Sequence, residues 1–441
     1  MKDLLMKIKD KTARIGIIGL GYTGLPLAIA FAKKFDVVGY DINEKTVNNF
    51  LNGKSHILDV SDDMIKKYLN KSFHPTVDHK ELKKCDFIII CVPTPLTAEK
   101  EPDLRYIKSA CEAIAMILRK SQFVILESTT YPGTTEEVVI PILGRSGLKA
   151  GIDFGVAYSP ERIDPGNKTY TTEKIPKVVG GINKECTEIA AMLYGSIIEK
   201  VVEVRDAKTA EAVKMVENIF RNVNIALVNE LALIFEKMDI NVWEVIDAAK
   251  TKPYGFMPFY PGPGIGGHCI PLDPFYMSYI AKRYGFIPRF IETSGEINEF
   301  MKLHVVNLVE KGLRKVGKKI YGAKVAVMGL AYKKNIDDAR ESPSIRIIEE
   351  LANRGADVRV YDPYVKSIKT KVGVFYSEKN IEDALRGVDC AVFAVDHDVF
   401  RKVEMGRMRE LTASPVVVDC KNVFKFKGTD NVVYLGIGKG I

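Results

Sequence analysis

A cysteine at position 269 stands in a setting that favours a reactive thiol. Gly266 and Gly267 precede it, and Pro271 and Asp273 follow it. Paired glycines let a ligand approach the backbone, and proline suits the first turn of a helix, whose dipole would lower the pKa of a nearby thiol. A single cysteine is more commonly a small buried residue of the core. The pattern therefore leaves two interpretations of Cys269, a nucleophile and a structural thiol.

The remaining cysteines and the adjacent His268 give no indication of a metal site. The chain has seven cysteines, an odd number, and none are spaced as a CxxC pair. This spacing fits neither a zinc ribbon nor a disulfide framework, so we expect most of these thiols to be buried. His268 could act as a base or a ligand, but no neighbouring residues supply a ligand set, and we expect a structural role for it.

A lysine and an asparagine, Lys214 and Asn218, lie four residues apart in a segment without proline or glycine. Apolar residues recur at helical spacing between Ala207 and Lys237, which predicts one long amphipathic helix. Those apolar residues are Val213, Val216, Phe220, Val223, Leu227, Leu231 and Ile234. Lys214 and Asn218 share one face of such a helix and could donate hydrogen bonds to an oxygen that gains negative charge. The alternative is a solvated pair.

A polar segment of sequence SPERIDPG, residues 159–166, follows a predicted strand. Ligands of open α/β sheets bind at the carboxyl ends of the strands, so this segment is placed to contact a ligand. An ordinary turn is the equal alternative.

A glycine turn near the amino terminus has the spacing of a dinucleotide-binding motif. Gly19, Gly21 and Gly24 follow a predicted strand and open a predicted helix. Glycines permit the tight turn, and the helix N-terminus presents amides to a pyrophosphate, although such a turn can also serve close packing alone. Asp41 ends the next predicted strand, where a carboxylate accepts hydrogen bonds from the adenosine ribose. An acid there, with no arginine directly after it, favours NAD over NADP.

The elements that must position these residues follow an α/β pattern. Apolar runs separated by helical segments predict buried parallel strands at 14–19, 35–40, 87–92, 123–127 and 154–158. After the long helix, a loop dense in proline and glycine spans residues 252–267, and loops of this length are usually functional. A second α/β pattern then has predicted strands at 324–329, 357–361, 390–395 and 415–419, with a helix at 344–354.

The predicted fold class is therefore α/β, with two Rossmann-like doubly wound domains joined by a long central helix. We expect an N-terminal domain at residues 1–200, a central helical domain at 201–315 and a C-terminal domain at 316–441. The first turn of the C-terminal domain, residues 329–333, lacks the second and third glycines of a dinucleotide motif. This domain is expected to bind something other than a dinucleotide pyrophosphate.

Composition and charge exclude other classes of protein. The 441 residues carry a formal charge of +8, spread along the chain, which favours anionic small molecules over nucleic acid. The first fourteen residues contain charges that a signal-peptide core would lack, and no run of about 18 apolar residues follows. We expect a soluble cytoplasmic protein without nucleic-acid or membrane partners.

Several motifs, in order along the chain, resemble those of the UDP-glucose/GDP-mannose dehydrogenase family. They are GLGYTGLPLA at 19–28, VPTP at 92–95, EST at 127–129, SPER at 159–162, the Lys214/Asn218 helix, GGHC at 266–269 and GLAYKKNIDDARESP at 329–343. The resemblance runs from Gly19 to Asp419. It implies an N-terminal NAD domain, a central helix that forms a homodimer, and a C-terminal UDP-binding domain. An apolar stripe longer than the flanking domains need is also consistent with a dimer.

The resemblance also implies the roles of individual residues. Cys269 would be the nucleophile, Lys214 and Asn218 would stabilise the oxyanion, and Asp273 or Glu161 would handle the hydrolytic water. Cofactor contacts are implied for Gly19, Gly21, Tyr22, Thr23, Gly24, Asp41, Thr94, Thr129 and Arg340, of which Thr129 would also be catalytic through bound water. Substrate contacts are implied for Glu161, Arg162, Lys214, Asn218, Tyr260, Gly264, Gly266 and Lys333, and no metal is implied.

These roles imply an NAD-dependent, four-electron oxidation of the C6 alcohol of a UDP-hexose to a uronic acid, through a thiohemiacetal and a thioester on cysteine. The SPERIDPG segment and YPGPGIGGHCIPLDPFY at 260–276 resemble the subgroup that acts on UDP-N-acetylglucosamine. UDP-glucose, UDP-N-acetylgalactosamine and UDP-N-acetylmannosamine stay open. One departure matters: some members have a second glutamate where this chain has Pro165, so acid–base work assigned there must move to another residue or be lost.

Two alternatives of other kinds stay open. A two-electron hydroxyacid dehydrogenase also combines a Rossmann domain, a long helical segment and a lysine–asparagine pair, but it needs neither the cysteine nor a third domain. A non-catalytic NAD-binding sensor would keep the fold without turnover. The joint presence of Cys269, Lys214 and Asn218 argues against the sensor.

Overall fold

The computed structural model describes residues 2–57, 59–97, 99, 101–163, 171–267, 270–425 and 431–439. By compactness the chain separates into two units, one of residues 1–217 with 275–286 and one of residues 218–274 with 287–441. Each unit is built on its own sheet. The three-domain division at residues 200 and 315 stays a prediction.

The first unit contains an eight-stranded sheet. Its strands are β1 Arg14–Ile18, β2 Asp36–Tyr40, β3 Phe73–Thr76, β4 Phe87–Ile90, β5 Phe123–Leu126, β6 Gly155–Tyr158, β7 Lys177–Gly181 and β8 Val201–Glu203. Their order is β3-β2-β1-β4-β5-β6-β7-β8, and the β6–β7 pairing is antiparallel while the others are parallel. The central strands β4, β5 and β6 are buried along their whole length, because helices cover both faces of such a sheet.

Short helices connect these strands. They are α1 Lys2–Lys9, α2 Gly24–Ala32, α3 Glu44–Leu51, α4 Asp62–Tyr68, α5 Arg105–Ala115, α6 Ile140–Leu143 and α7 Lys184–Gly195. The side chains of Asn43, Ser61 and Asn183 accept hydrogen bonds from the first turns of α3, α4 and α7. These caps satisfy backbone amides that have no partner within the helix.

The long central helix has the predicted bounds. It is α8 Ala207–Lys237, and three further helices follow it: α9 Val242–Ala249, α10 Asp273–Arg283 and α11 Arg289–Lys315. Between α9 and α10 the described residues form neither helix nor strand. The predicted irregular loop is therefore present.

The apolar stripe of α8 is only partly buried within this chain. Four residues of the predicted apolar stripe are exposed: Val216 at 62%, Phe220 at 49%, Leu227 at 50% and Ile234 at 44%. Lys214 and Asn218, for which a solvated pair was one interpretation, are buried. Helical periodicity identifies an apolar face, but it does not say whether this chain or another covers that face.

The second unit contains a five-stranded parallel sheet and a hairpin. Its strands are β9 Lys324–Met328, β10 Asp357–Tyr361, β11 Ser367–Thr370, β12 Gly373–Tyr376, β13 Cys390–Phe393, β14 Val416–Asp419 and β15 Val433–Gly436. The order is β10-β9-β13-β14-β15, and β11 pairs with β12. The remaining helices are α12 Pro343–Asn353, α13 Ile381–Leu385 and α14 Met405–Leu411. The predicted fold class of two doubly wound α/β sheets is confirmed, with α8 between them in sequence.

Several strands were not predicted from the sequence. The edge strand β3 contains Pro75, which cannot donate to a ladder and removes the usual strand signal. The short strand β8 is largely exposed and lacks an apolar run. Within the described residues, no helix is long and apolar enough to cross a membrane.

Candidate active site

The turn after β1 uses its three glycines in different ways. Gly19 has a φ of +89°, and a Cβ there would lie 2.7 Å from the carbonyl oxygen of Cys91. A Cβ at Gly24 would lie 1.8 Å from the carbonyl oxygen of Gly19, whereas one at Gly21 would meet nothing within 4 Å. The first and third glycines therefore serve the turn and its packing. The second leaves the space that a pyrophosphate needs at the N-terminus of α2, so these residues fit NAD.

Asp41, directly after β2, is held beside this turn. Its Oδ2 accepts a hydrogen bond from the Leu20 amide at 2.8 Å, and its Oδ1 accepts one from the Asn43 amide at 2.9 Å. A carboxylate has about four acceptor positions, so this arrangement orients Asp41 and leaves capacity for ribose hydroxyls. Tyr22 is partly exposed and Thr23 is half-buried in the same turn.

Two further predicted NAD contacts lie in the loops after β4 and β5. Thr94 is buried, and its carbonyl oxygen accepts a hydrogen bond from the Tyr276 hydroxyl at 2.5 Å. Ser128 donates to the Val92 carbonyl at 2.8 Å, which ties the two loops together. Thr129, next to Ser128, is half-buried. Neighbouring parallel strands end at the same edge of a sheet, so these loops lie at the edge that carries the glycine turn.

A buried ion pair, not predicted from the sequence, anchors the end of β5. Glu127 forms a salt bridge with Lys177 and accepts a hydrogen bond from the Tyr194 hydroxyl at 2.6 Å. The Lys177 ammonium also lies 5.0 Å from the centre of the Tyr194 ring. A buried charge must be paired, because loss of its partner is strongly destabilising. The glutamate of the EST motif is thus structural, and its position at the end of an apolar strand was the available signal.

The first unit brings two predicted catalytic residues together. The Lys214 ammonium donates to the Glu161 carbonyl oxygen at 2.6 Å and lies 3.5 Å from its carboxylate Oε2. Arg162 pairs with Glu217 at 2.6 Å and donates to the Pro176 carbonyl at 2.6 Å. The segment at 159–162, for which an ordinary turn was the alternative, is therefore tied to α8 through both of its charged side chains.

Glu211, one turn before Lys214 on α8, is a buried acid that sequence reasoning missed. Its carboxylate accepts hydrogen bonds from the Gly133 amide at 2.5 Å and from the Thr135 amide at 2.8 Å and hydroxyl at 2.7 Å. Burial raises the pKa of Glu211 to about 7, against the effect of these donors, which lower it. Glu211 fastens the segment that follows Thr129 to α8.

In the second unit, Asn218 meets the first residue of α10. Its Nδ2 donates to Oδ2 of Asp273, and both side chains are buried. This pair joins an amide donor to a carboxylate, which are the groups needed to bind an oxyanion and to orient a water. The two residues were predicted to be catalytic from separate motifs, and the fold brings them into contact.

The glycines of the long loop are packed against the protein itself. A Cβ at Gly266 would lie 2.7 Å from the Tyr332 Cβ, and one at Gly267 would lie 2.9 Å from the Tyr332 ring. The Gly267 amide donates to the Arg340 carbonyl at 3.1 Å. A Cβ at Gly264 would lie 2.8 Å from the Asn298 carbonyl oxygen. In this structure the group that lies close to Gly266 and Gly267 is Tyr332. Contact of Gly264 or Gly266 with a substrate stays a prediction.

Two other predicted contacts have partners within the second unit. The Tyr260 ring stacks on Trp243 at 5.5 Å, and its hydroxyl donates to Asp247 at 2.8 Å. The Arg340 guanidinium forms a bidentate salt bridge with Asp338, in which Nε lies 3.0 Å from Oδ1 and Nη2 lies 2.6 Å from Oδ2. Binding of substrate by Tyr260 and of cofactor by Arg340 stays predicted.

The loop after β9, which contains the half-buried Lys333, is held by a buried aspartate. Asp362 Oδ2 accepts hydrogen bonds from the Leu330 amide at 2.6 Å and from His397 Nε2 at 3.0 Å. Burial raises the pKa of Asp362, but His397 and the backbone donors outweigh it and hold the pKa below its ordinary value. His397 Nδ1 in turn accepts from the Asn335 amide at 2.9 Å. The position of this loop is therefore set by groups that were not predicted.

Several residues of the predicted site lie outside the described residues. These are His268, Cys269 and the segment 164–170, which includes Pro165. The six cysteines in the described part are buried free thiols: Cys85, Cys91, Cys111, Cys186, Cys390 and Cys420. Burial raises the pKa of the Cys85 and Cys111 thiols to about 12, so these two are not thiolates at neutral pH.

Comparison with known proteins agrees with this geometry. Models of the UDP-glucose/GDP-mannose dehydrogenase family match at residues 13–198 for the NAD binding domain, 208–300 for the central domain and 326–426 for the UDP binding domain. The chain is 40% identical to Protein CapL of Staphylococcus aureus, over 96% of this chain and 98% of CapL. It is 39% identical to a UDP-N-acetyl-D-glucosamine 6-dehydrogenase of Pseudomonas aeruginosa, over 93% of this chain and 97% of that one.

A solved structure, the UDP-D-ManNAc dehydrogenase of Pyrococcus horikoshii, superposes with a TM-score of 0.91 at 36% identity, covering 97% of this chain and 99% of that one. The fold and the glycine turn, together with these matches, define an NAD-dependent oxidoreductase that acts on nucleotide sugars. More specifically, the chain belongs to the UDP-glucose/GDP-mannose dehydrogenase family, and the predicted resemblance is confirmed.

We predict that Asp41→Ala weakens NAD binding by about 1–3 kcal/mol, because hydrogen bonds between the ribose and a charged group are lost. Isothermal titration with NAD and, separately, with UDP measures both affinities. UDP binding is the control and should be unchanged. Equal loss of both affinities would indicate a folding defect instead.

We predict that Glu211 makes the folded protein less stable as pH rises. Its folded pKa of about 7 lies above the ordinary value of 4.5, so the folded chain holds the extra proton. Stability from this group is complete below pH about 4.5 and declines by about 3 kcal/mol by pH about 7, at about 1.4 kcal/mol for each pH unit.

Urea unfolding across this range, with Glu211→Gln beside the wild type, measures the effect. The variant should lack this part of the slope because its side chain does not titrate. Identical slopes in the two proteins would contradict the raised pKa.

Proposed function

We propose that this enzyme oxidises the C6 alcohol of a UDP-hexose, namely UDP-N-acetylglucosamine, to the uronic acid by removing four electrons. The observation that carries the proposal is the buried Asn218–Asp273 pair, whose aspartate lies four residues after Cys269 in sequence. The proposal is also supported by Lys214, one turn before Asn218 on α8, whose ammonium donates a hydrogen bond to the Glu161 carbonyl oxygen. A two-electron dehydrogenase would account for the lysine–asparagine pair but would need neither Cys269 nor a third domain.

The first oxidation converts the alcohol into an aldehyde. The C6 hydroxyl proton passes to a base or to water as a C6 hydrogen leaves with its electron pair. Gly19, Gly21, Gly24 and Asp41 would hold NAD, which would supply the hydride acceptor for each of the two oxidations. The remaining chemistry belongs to residues of this chain.

The second oxidation proceeds on the cysteine. The Cys269 thiolate forms a C–S bond with the aldehyde carbon, whose oxygen becomes an oxyanion stabilised by hydrogen bonds from Lys214 and Asn218. Loss of the second hydride from this adduct restores the C=O bond and yields a thioester. Water then attacks the thioester and gives its proton to Asp273 or Glu161. The C–S bond breaks, and the thiolate and the carboxylic acid are released.

The departure at Pro165 narrows the choice of acid–base residue. The glutamate that some family members have there is missing, so Glu161 and Asp273 are the two carboxylates to which we assign the hydrolytic water. Asp273 is held by Asn218, and Glu161 lies next to a buried ammonium. A carboxylate held in place in this way can orient a water at the reacting carbon.

The sugar is assigned from likeness. The Pseudomonas aeruginosa relative is named for UDP-N-acetyl-D-glucosamine at 39% identity, and the Pyrococcus horikoshii structure for UDP-D-ManNAc at 36%. NADH absorbance with UDP-glucose and with UDP-linked N-acetylglucosamine, N-acetylgalactosamine and N-acetylmannosamine tests the assignment. We expect kcat/KM to be at least about tenfold higher for UDP-N-acetylglucosamine. Preference for another sugar would reassign the substrate, and no NADH from any of them would overturn the activity.

We predict that Cys269→Ser abolishes uronate formation in a folded protein, because a hydroxyl is a far poorer nucleophile than a thiolate. Uronate is measured by chromatography, and a thiol reagent should modify one cysteine of the native wild type and none of the variant. Cys111→Ala, at a buried thiol of α5, is the matched control and should remain active. Full turnover by Cys269→Ser would remove the thioester from the mechanism.

We also propose that the enzyme is a homodimer formed through the exposed apolar face of α8. Val216, Phe220, Leu227 and Ile234 lie along one side of this helix and are 44% exposed or more. Exposed apolar surface that continues over several helical turns is typical of an interaction site. A two-fold interface places the same helix of each subunit against its copy.

We predict that replacing Phe220 and Leu227 together with glutamate lowers both the mass in solution and the activity, because charge desolvated at an apolar interface is costly. Light scattering with a parallel NADH assay measures both. Met116→Glu, at an exposed methionine just after α5, is the control and should change neither. An active wild-type monomer would contradict the dimer, and an unchanged mass of the double variant would move the interface elsewhere.

A further inference from the structure

Four buried polar side chains line the contact of α8 with α11 beside the long loop. Asn222 and Asn229 belong to α8, and Ser294 and Asn298 belong to α11; each is 4% exposed or less. Two helices that only pack together would bury apolar side chains, because a buried amide without a partner costs about 1–3 kcal/mol. Helix packing alone therefore does not explain why these four buried positions are polar.

The hydrogen bonds of these side chains run in one chain to the two sides of the loop. The Gly262 amide donates to Asn229 Oδ1 at 2.9 Å, and Asn229 Nδ2 donates to Asn298 Oδ1 at 2.9 Å. Asn298 Nδ2 donates to the backbone carbonyl oxygen of Asn222 at 3.3 Å, and Asn222 Nδ2 donates to the backbone carbonyl oxygen of Ile270 at 3.1 Å. The chain thus begins before the GGHC motif and ends on the residue that follows it.

The Asn222 amide is itself oriented by a hydroxyl. Ser294 Oγ donates to Asn222 Oδ1 at 2.7 Å, which leaves Nδ2 directed at the Ile270 carbonyl. A loop dense in proline and glycine has few backbone groups that pair with one another, so they must find partners elsewhere. Asn222 and Asn229 supply those partners at Ile270 and Gly262.

We propose that Asn222, Asn229 and Asn298 are positioning residues that hold the loop so that the Cys269 thiolate meets the aldehyde carbon. The inference rests on the proposed function, in which Cys269 is the nucleophile. None of the three is assigned a contact with substrate or NAD. They act through the backbone of Gly262 and Ile270, the second of which adjoins Cys269 in sequence.

This role separates the two oxidations. The first forms the aldehyde without the cysteine, whereas the second requires the thiolate at bonding distance from carbon. A displacement of about 1 Å at a reacting group can lower a rate by about a hundredfold. Loss of an asparagine should therefore slow the second oxidation more than the first and let aldehyde escape.

The experiment uses Asn222→Ala in the full chain, with Asn307→Ala as the matched control. Asn307 is an exposed asparagine of the same helix as Asn298. For Asn222→Ala we expect kcat for uronate to fall by about tenfold to a hundredfold, with KM for NAD and for UDP-sugar changed by less than about threefold. Aldehyde trapped with hydroxylamine should increase, and the control should match the wild type.

A second measurement needs no turnover. The rate of Cys269 alkylation by iodoacetamide is followed against pH in the enzyme without substrate. Because the position of the thiol fixes its surroundings, the rate–pH profile of Asn222→Ala should differ from that of the wild type, and the profile of the control should match it. This readout stays informative if no UDP-sugar is oxidised, so failure of the activity and failure of the positioning role are distinguishable.

A milder pair of variants covers the case in which Asn222→Ala does not fold. Ser294→Ala removes the hydroxyl that orients Asn222, and Ser294→Thr keeps it. We expect Ser294→Ala to change the alkylation profile and aldehyde release in the same direction, and Ser294→Thr to restore both. Variants that lose thermal stability but keep the wild-type profile, KM, kcat and aldehyde release would overturn the proposal and leave the asparagines a structural role only.

Discussion

The arrangement of this enzyme depends on one constraint, which is that α8 buries polar side chains. Glu211, Lys214, Asn218, Asn222 and Asn229 all lie on its buried side. A buried polar group without a partner costs about as much as several good apolar contacts contribute, so each must be satisfied. Each obtains a partner from outside α8, which is a backbone group of an irregular segment for Lys214, Asn222 and Asn229, and Asp273 of α10 for Asn218. Asn222 and Asn229 also bond to side chains of α11, and Glu211 accepts from Gly133 and Thr135. Within each unit, these contacts hold the segments against the part of α8 that belongs to that unit.

A helix suits this role because its own backbone is fully hydrogen-bonded. At 31 residues, α8 extends for about 45 Å and offers its side chains at fixed spacing along that length. The irregular segments have the opposite property, since their backbone amides and carbonyls lack regular partners and must find them elsewhere. A rigid helix with polar side chains and a loop with unpaired backbone groups therefore complement each other. Catalytic groups built on such a support keep their geometry better than groups on a free loop.

Local signals in the sequence predicted much of the fold but less of the site. The bounds of α8 were predicted correctly because a segment without proline or glycine can be recognised from the sequence directly. The glycine turn was predicted correctly because only glycine fits the close contacts at positions 19 and 24. The burial of Lys214 and Asn218 was left open, because periodicity cannot distinguish a side covered by this chain from one left exposed. Likewise, the sequence around Asn222 does not indicate that its hydrogen-bond partner is Ile270, which lies 48 residues away.

The GGHC motif combines a packing requirement at its glycines with a proposed chemical role for its cysteine, and the sequence alone does not separate the two. Its glycines have a packing requirement, because a Cβ at either one would displace Tyr332 or the backbone at Glu341. Tyr332 cannot yield easily, since Asp362 holds the amides of Leu330 and Ala331 just before it. Gly266 and Gly267, which precede Cys269 by three and two residues, are therefore closely packed. A nucleophile needs a well-defined position, because displacement of the reacting atom lowers the reaction rate. The glycines beside the cysteine therefore meet a packing requirement in addition to the chemical role proposed for Cys269.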